Sequence, residues 1–362
     1  MGPICASLVP GICFGSATFA AMRMQPPVVI IAEAGVNHNG SLSTAFELID
    51  AAAGAGVDYV KFQTFRADKL VSPSARMASY QAANTGNPAT SQLAMLRALE
   101  LDESAHEQLL AYCEKRGVKF LSTAFDQDSL DYLSKLDLDI FKVPSGEVTN
   151  APYLRKVASF GKAVLLSTGM CTLGEVEAAV GVLLSGLTRE QITVLHCNTQ
   201  YPTPMVDVNL RAMHTLGRAL QVKVGYSDHT LGIEVPIAAV AMGARVIEKH
   251  FTLSRDLPGP DHRASLEPKE LTAMVDGIRN IEAALGNGIK APTPSESENR
   301  GVARKSVHSA RALAAGHVLR SEDVIMLRPG TGISPMRLEE LLGKSLREPV
   351  PAFQLLREAD LQ

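Results

Sequence analysis

Eight short apolar runs, each closing on polar side chains, recur between residues 28 and 252. They are 28–36, 59–65, 119–125, 140–146, 163–170, 192–200, 223–229 and 245–252. Amphipathic stretches separate most of them, at 43–55, 103–116, 150–160, 174–185 and 234–243. Such alternation predicts parallel strands joined by crossover helices. Eight units within about 250 residues predict a closed (β/α)8 TIM barrel. A doubly wound open sheet is the structural alternative.

Periodicity within the runs favours the barrel. Val60 and Phe62 alternate with Lys61 and Gln63; Leu195 and Cys197 with His196 and Asn198; Ile247 with Glu248 and His250. Strand side chains alternate faces. A barrel can turn the apolar set to its helices and the polar set to its lumen, at the C-terminal rim where barrel active sites lie. An open sheet would bury those polar groups without shared purpose.

The chain has 362 residues, enough for one large and one small domain. A net charge of −3 gives no sign of nucleic-acid binding. No apolar run is long enough to span a membrane. Five cysteines without paired spacing make the cytoplasm the expected compartment. Residues 1–26 are apolar and small and lack the basic start of a secretory signal. They read as a disordered or spurious extension, with Met24 a more plausible start. The barrel is then expected over 27–285, a linker over 286–302 and a second unit over 303–362. That unit is marginal alone and expected to pack on something. The connection 66–101 reads equally as a lid or substrate loop and as a surface excursion.

Candidate chemistry gathers at the strand ends. His229 and His250 close consecutive strands beside Ser227, Asp228 and Glu248. Imidazoles suit an exchangeable first-row divalent ion such as manganese, and the missing cysteine ligand argues against structural zinc. The plainer reading is two hydrogen-bonded core histidines. Lys61, Lys142, Ser145, Ser167 and Asn198, each near a different strand end, suit a phosphate or carboxylate. The plainer reading for the lysines, pairing with Glu33 or Glu147, can hold alongside it. Glu33, Glu147 and Asp261 are carboxylates able to orient hydroxyls or move protons. Gln63 and Tyr201 are suited to contact a sugar.

These residues lie within blocks that resemble the bacterial sialic acid (nonulosonate) synthase family over about residues 27–362. The blocks are AEAGVNHNG (32–40), VKFQTF (60–65), KVPSGE (142–147), LSTGM (166–170), HCNTQYPTP (196–204), YSDHT (226–230), EKHFT (248–252) and GPDH (259–262). ARKS (303–306) and RPGTGISPM (328–336) resemble the antifreeze-like SAF domain, of β-clip fold, that ends these enzymes.

The resemblance implies a transferase that condenses phosphoenolpyruvate (PEP) with an N-acetylated mannosamine-type sugar, usually with Mn2+, Mg2+ or Co2+ being alternatives. It implies that His229 and His250 bind the metal. Lys61, Lys142, Ser145, Ser167 and Ser227 would hold PEP, with Asn198 or Thr199 nearby. Gln63, Glu147, Tyr201 and Asp261 would contact the sugar, and Glu33 would sit at the reacting centre. Arg328 would reach the sugar's N-acetyl group in the partner subunit of a domain-swapped homodimer. Residues 225–240 look closer to N,N'-diacetyllegionaminate synthases, whereas 62–70 fit N-acetylneuraminate synthases equally. The competing readings are a 3-deoxy-octulosonate phosphate synthase, which takes phosphorylated sugars and lacks such a tail, and a non-catalytic sugar- or metal-binding barrel.

Overall fold

The computed structural model describes residues 26–72, 74, 75, 77, 81, 84 and 91–362. The expectation for residues 1–26 falls outside these save for Pro26. The chain divides into two compact units between Gly286 and Asn287.

The first unit is a closed parallel barrel, as expected. Its strands are β1 (Val29–Gly35), β2 (Tyr59–Thr64), β3 (Lys119–Ala124), β4 (Ile140–Val143), β5 (Ala163–Ser167), β6 (Ile192–His196), β7 (Lys223–Asp228) and β8 (Val246–His250). Each pairs with its sequence neighbour, and β1 with β8, which disposes of the open sheet. Short polar caps start the surrounding helices: Ser41, Asp102, Asp126, Asn150 and Thr172 each accept a bond from a first-turn backbone N–H. Gly56 and Gly117 end two of them in the left-handed conformation.

Residue parity organises the interior. Ile30, Val60, Phe120, Phe141, Val164, Val194 and Ile247 pack outward against the helices. Ile31, Tyr59, Leu121, Leu165, Leu195 and Val246 form a separate apolar floor inside the lumen. Two residues further along those strands stand Glu33, Lys61, Thr123, Ser167, Cys197 and Glu248, with Lys142 and Ser227 from β4 and β7. The barrel is therefore a filled core whose upper tier turns polar.

In the second unit, β9 (Ser306–Ser309) and β10 (Val324–Leu327) pair antiparallel, with Val324 opposite Ser309. Val307, Leu313, Leu319, Ile333, Leu341, Leu346, Val350, Leu356 and Leu361 form its own core. The stretch read as a linker contains a helix, Pro294–Ala303. Thr293 and Glu296 make a reciprocal capping box around Pro294 at the first helical position. The helix buries no side chain, so no apolar stripe in the sequence advertised it.

Candidate active site

The polar tier lines a cavity of about 620 Å3 at the C-terminal mouth of the barrel. Its base is a buried charge network. Lys61 Nζ lies 2.7 Å from Glu33 Oε2 and 3.5 Å from Glu248 Oε2, and donates to Thr123 Oγ1 at 2.8 Å. Lys142 Nζ lies 3.3 Å from Glu248 Oε1, which also accepts from Ser227 Oγ at 2.8 Å. All four charged residues are at most 5% exposed.

The network biases protonation. Burial alone would raise Glu248, but Lys142 and Lys61 hold it well below the usual carboxylate range. Burial raises Glu33, with Glu248 adding to the rise and Lys61 opposing it. Burial would lower Lys61, yet Glu248 and Glu33 keep it above its ordinary value. Lys142, with fewer anionic neighbours, is lowered by burial and by Lys61. At neutral pH, Glu248 is thus a firm anion beside both lysines, whereas Glu33 is displaced toward accepting a proton.

Above one end stand His229 and His250, with ring centroids 5.2 Å apart. Tyr201 stacks on His229 at 4.0 Å and meets His250 edge-on at 5.4 Å. Burial lowers the His229 imidazole to about 4, and burial with the neighbouring ring holds His250 well below its ordinary value, so both are neutral near pH 7. His229 Nδ1 meets the Asn198 carbonyl. A carbonyl only accepts, so Nδ1 carries the proton and Nε2 keeps its lone pair. His250 Nδ1 is buried without a hydrogen-bond partner and lies 3.9 Å from Asp261 Oδ2. Two neutral, adjacent imidazoles fit a divalent ion. Among the described residues no group of three or more His, Cys, Asp or Glu gathers as a metal site, so protein donors would leave positions open for substrate or water.

The opposite wall is an anion cradle. Ser145 Oγ accepts from the Gly169 N–H at 2.9 Å, and Ser167 Oγ is buried without a partner. A Cβ on Gly169 would stand 2.5 Å from Thr199 Cγ2 and 3.1 Å from Ser145 Oγ. Only glycine permits this approach. The rest of the lining is neutral: Gln63, Gln81, Gln92, Phe125, Met170 and Tyr201.

A lysine-rich base, a paired-imidazole wall and a neutral amide-and-aromatic mouth suit a small anion beside a polar uncharged molecule. Residues 48–290 match the NeuB family, and residues 304–362 the SAF domain. The chain belongs to the NeuB family. The resemblance read from its sequence blocks is borne out. N,N'-diacetyllegionaminic acid synthase of Campylobacter jejuni is 50% identical, covering 91% of this chain and 99% of that protein. The synthase of the same name from Legionella pneumophila is 48% identical over 88% of this chain and 90% of its own. The crystal structure of N-acetylneuraminic acid synthetase from Leptospira borgpetersenii superposes with a TM-score of 0.67 at 35% identity, covering 75% of this chain and 90% of that one.

In this NeuB-family barrel, Glu33, Lys61, Gln63, Lys142, Ser145, Ser167, Thr199, Tyr201, Ser227, His229 and His250 come together around one cavity. Three sequence-derived candidates of the barrel unit, Asn198, Glu147 and Asp261, do not line it. Asn198 was assigned to the lumen because it is polar and Cys197 is not. Counting up from Leu195 on the floor gives the reverse: Cys197 and Thr199 face the cavity. Asn198 Oδ1 accepts from the Gln200 N–H at 2.7 Å, and its carbonyl serves His229. His196, likewise assigned inward, turns to the Val208 carbonyl at 2.9 Å. Glu147, in the 3-10 turn Ser145–Glu147, accepts from Asn150 at 2.6 Å. Asp261 is buried behind His250, and burial together with Glu33 raises it to about 7. Arg328 is exposed in the second unit. Glu248, Thr123, Gln81 and Gln92 were not singled out as site residues. Parity in β3 and β8 could have found the first two; nothing in the sequence marks the glutamines.

Proposed function

We propose that this enzyme condenses PEP with 2,4-diacetamido-2,4,6-trideoxymannose to give N,N'-diacetyllegionaminate and phosphate. The observation that carries this reading is the two-ended cavity, with a lysine-rich base for a polyanion and a neutral mouth for an acetamido sugar. The 50% and 48% identities to synthases of that name support the choice of sugar.

Lys61 and Lys142 bind the phosphate and carboxylate of PEP, with Ser145, Ser167 and Ser227 completing the shell. Thr199 abuts the same cradle. Gln63 and Tyr201 contact the open-chain sugar, with Glu147 and Asp261 supporting its outer side. C3 of PEP attacks the aldehyde carbon. Water adds at C2, and the tetrahedral centre expels phosphate by C–O cleavage. Glu33, held close to Lys61 and shifted toward protonation, moves the proton at the reacting centre. His229 and His250 would hold a divalent ion, Mn2+ in this reading, which when bound would supply Lewis-acid polarisation of the aldehyde oxygen. Holding both substrates together contributes by proximity. The working form is a domain-swapped homodimer in which Arg328 reaches the partner's sugar site, and its compartment is the cytoplasm. Among the described residues no helix is long and apolar enough to cross a membrane.

The test is phosphate release from PEP with Mn2+, offering the diacetamido sugar and N-acetylmannosamine in parallel. A higher kcat/KM for the diacetamido sugar supports the proposal. Preference for N-acetylmannosamine makes the product N-acetylneuraminate, and release with neither overturns the sugar reading.

A further inference from the structure

The layer between barrel strands and helices is largely apolar, yet it holds a fully buried ion pair beside the two imidazoles. Lys249 follows Ile247 on the helix-facing side of β8, and Asp228 follows Tyr226 on that side of β7. Both side chains are fully buried, and Lys249 Nζ donates to Asp228 Oδ2 at 2.6 Å. Asp228 also accepts from the Thr230 backbone N–H at 3.1 Å and from Thr230 Oγ1 at 3.0 Å, while Lys249 Nζ donates to the Thr230 carbonyl. Every bond in this network grips a residue next to an imidazole: 228 and 230 bracket His229, and 249 precedes His250.

A buried ion pair is a poor device for stability, because desolvation offsets its attraction; well-packed apolar residues often do as well. Its attested use is to fix one geometry among alternatives. Here the strand pairing stops at Asp228 opposite Lys249, so His229 lies just beyond the ladder. Without another tie, that end of β7 would hold the first imidazole loosely relative to the second.

We infer that Lys249, Asp228 and Thr230 form a positioning clamp that sets the separation of His229 and His250 for a divalent cation. None of the three touches the cavity, so they are positioning residues. The inference rests on the imidazole pair being the metal site. Outer partners of metal ligands commonly govern affinity by about 10–100-fold.

The experiment is Mn2+ binding to the full-length protein without substrates, by titration calorimetry and by the EPR signal of free Mn2+. The variants are Lys249→Met, the paired Lys249→Met/Asp228→Leu, and Thr230→Val. The paired variant replaces the ion pair with apolar volume, so its fold can survive while the directional tie is lost. The expected result is Mn2+ affinity weakened about tenfold or more in the first two, with kcat reduced and KM for PEP within about twofold, since the PEP lysines stand on other strands. Thr230→Val, which removes one bond and keeps the pair, is expected to weaken Mn2+ about threefold. A cooperatively folded paired variant with wild-type Mn2+ affinity overturns the clamp. Should that variant not fold, unchanged affinity in Thr230→Val overturns it instead. Absence of Mn2+ binding by the wild-type protein removes the metal reading itself and the clamp with it, a failure visible before any variant is made.

Discussion

Two tiers of the same barrel, two residues apart along each strand, have opposite chemistry. The floor of Ile31, Tyr59, Leu121, Leu165, Leu195 and Val246 is dry and apolar. The tier above it holds Glu33, Lys61, Lys142 and Glu248 within a few ångströms of one another. Backbone, strands and degree of burial are shared, so the difference is one of side chains alone. The floor closes the lumen from below and keeps the field of the charges in a low-dielectric space, where they act strongly on a substrate. Stability and chemistry are thereby assigned to alternate steps of one ladder.

Mutations can separate the tiers. The largest effect is expected at the charged one. Lys142→Met leaves Glu248 with a single lysine and removes a cation proposed to hold PEP, and should lower kcat/KM for PEP by about 10^3-fold, roughly 4 kcal/mol. Phosphate-release kinetics that stayed within tenfold of wild type would collapse the distinction. On the floor the reverse is expected. Leu165→Ala should cost about 2–5 kcal/mol in denaturant unfolding, with kcat/KM of the folded fraction within about twofold.

Acid probes polar groups held in apolar surroundings. His38 is fully buried, and burial lowers its imidazole to about 4 from an ordinary 6.5. The unfolded chain takes up that proton first, so stability is full above pH 6.5 and is lost as pH falls toward 4. About 3 kcal/mol at most is at stake, and His38→Gln should flatten unfolding free energy against pH across that window. A smaller effect is expected in the cradle. Gly169→Ala pushes against Thr199 and Ser145 and should raise KM for PEP about tenfold, near 1.4 kcal/mol, leaving the sugar's KM in place. The smallest belongs to the neutral mouth. Gln92→Ala should raise the sugar's KM about threefold, roughly the loss of one neutral hydrogen bond, while KM for PEP stays unchanged. A shift in PEP instead would place that glutamine at the wrong end of the cavity.

The same parity explains what the sequence disclosed. Lys61 and Gln63 could be placed in the lumen because β2 alternates them with Val60 and Phe62, and Glu248 and His250 because they step in twos from the side opposite Ile247. In β6 and the turn after it, polarity misleads. Cys197 is a small inward residue that looks apolar, and Asn198 is a turn residue that looks like a ligand. The imidazole pair was legible from two strand ends. Its support was not: Asp228 reads as one more polar residue beside the histidines and nothing in the sequence marks Lys249, until the fold shows both facing the helices. Glu147 and Asp261 sit on turns, where strand parity gives no facing. The helix Pro294–Ala303 was hidden by proline and serine, residues common to linkers and helix starts alike.

The register shift between Glu33 and Gly35 in β1 has a consequence for how this chain can change over time. Along the other strands, gaining or losing one residue would swap lumen for helix layer, sending lysines among leucines and leucines into the site. Such length changes are closed to them. β1 already breaks register once, just where Glu33 must face Lys61, and Gly35 at φ +53° absorbs the break. Novelty in length is therefore confined to the segments above the rim, such as the long run after β2 that brings Gln81 and Gln92 to the cavity. A lineage of such barrels can alter which sugar it meets while the strands beneath keep their count.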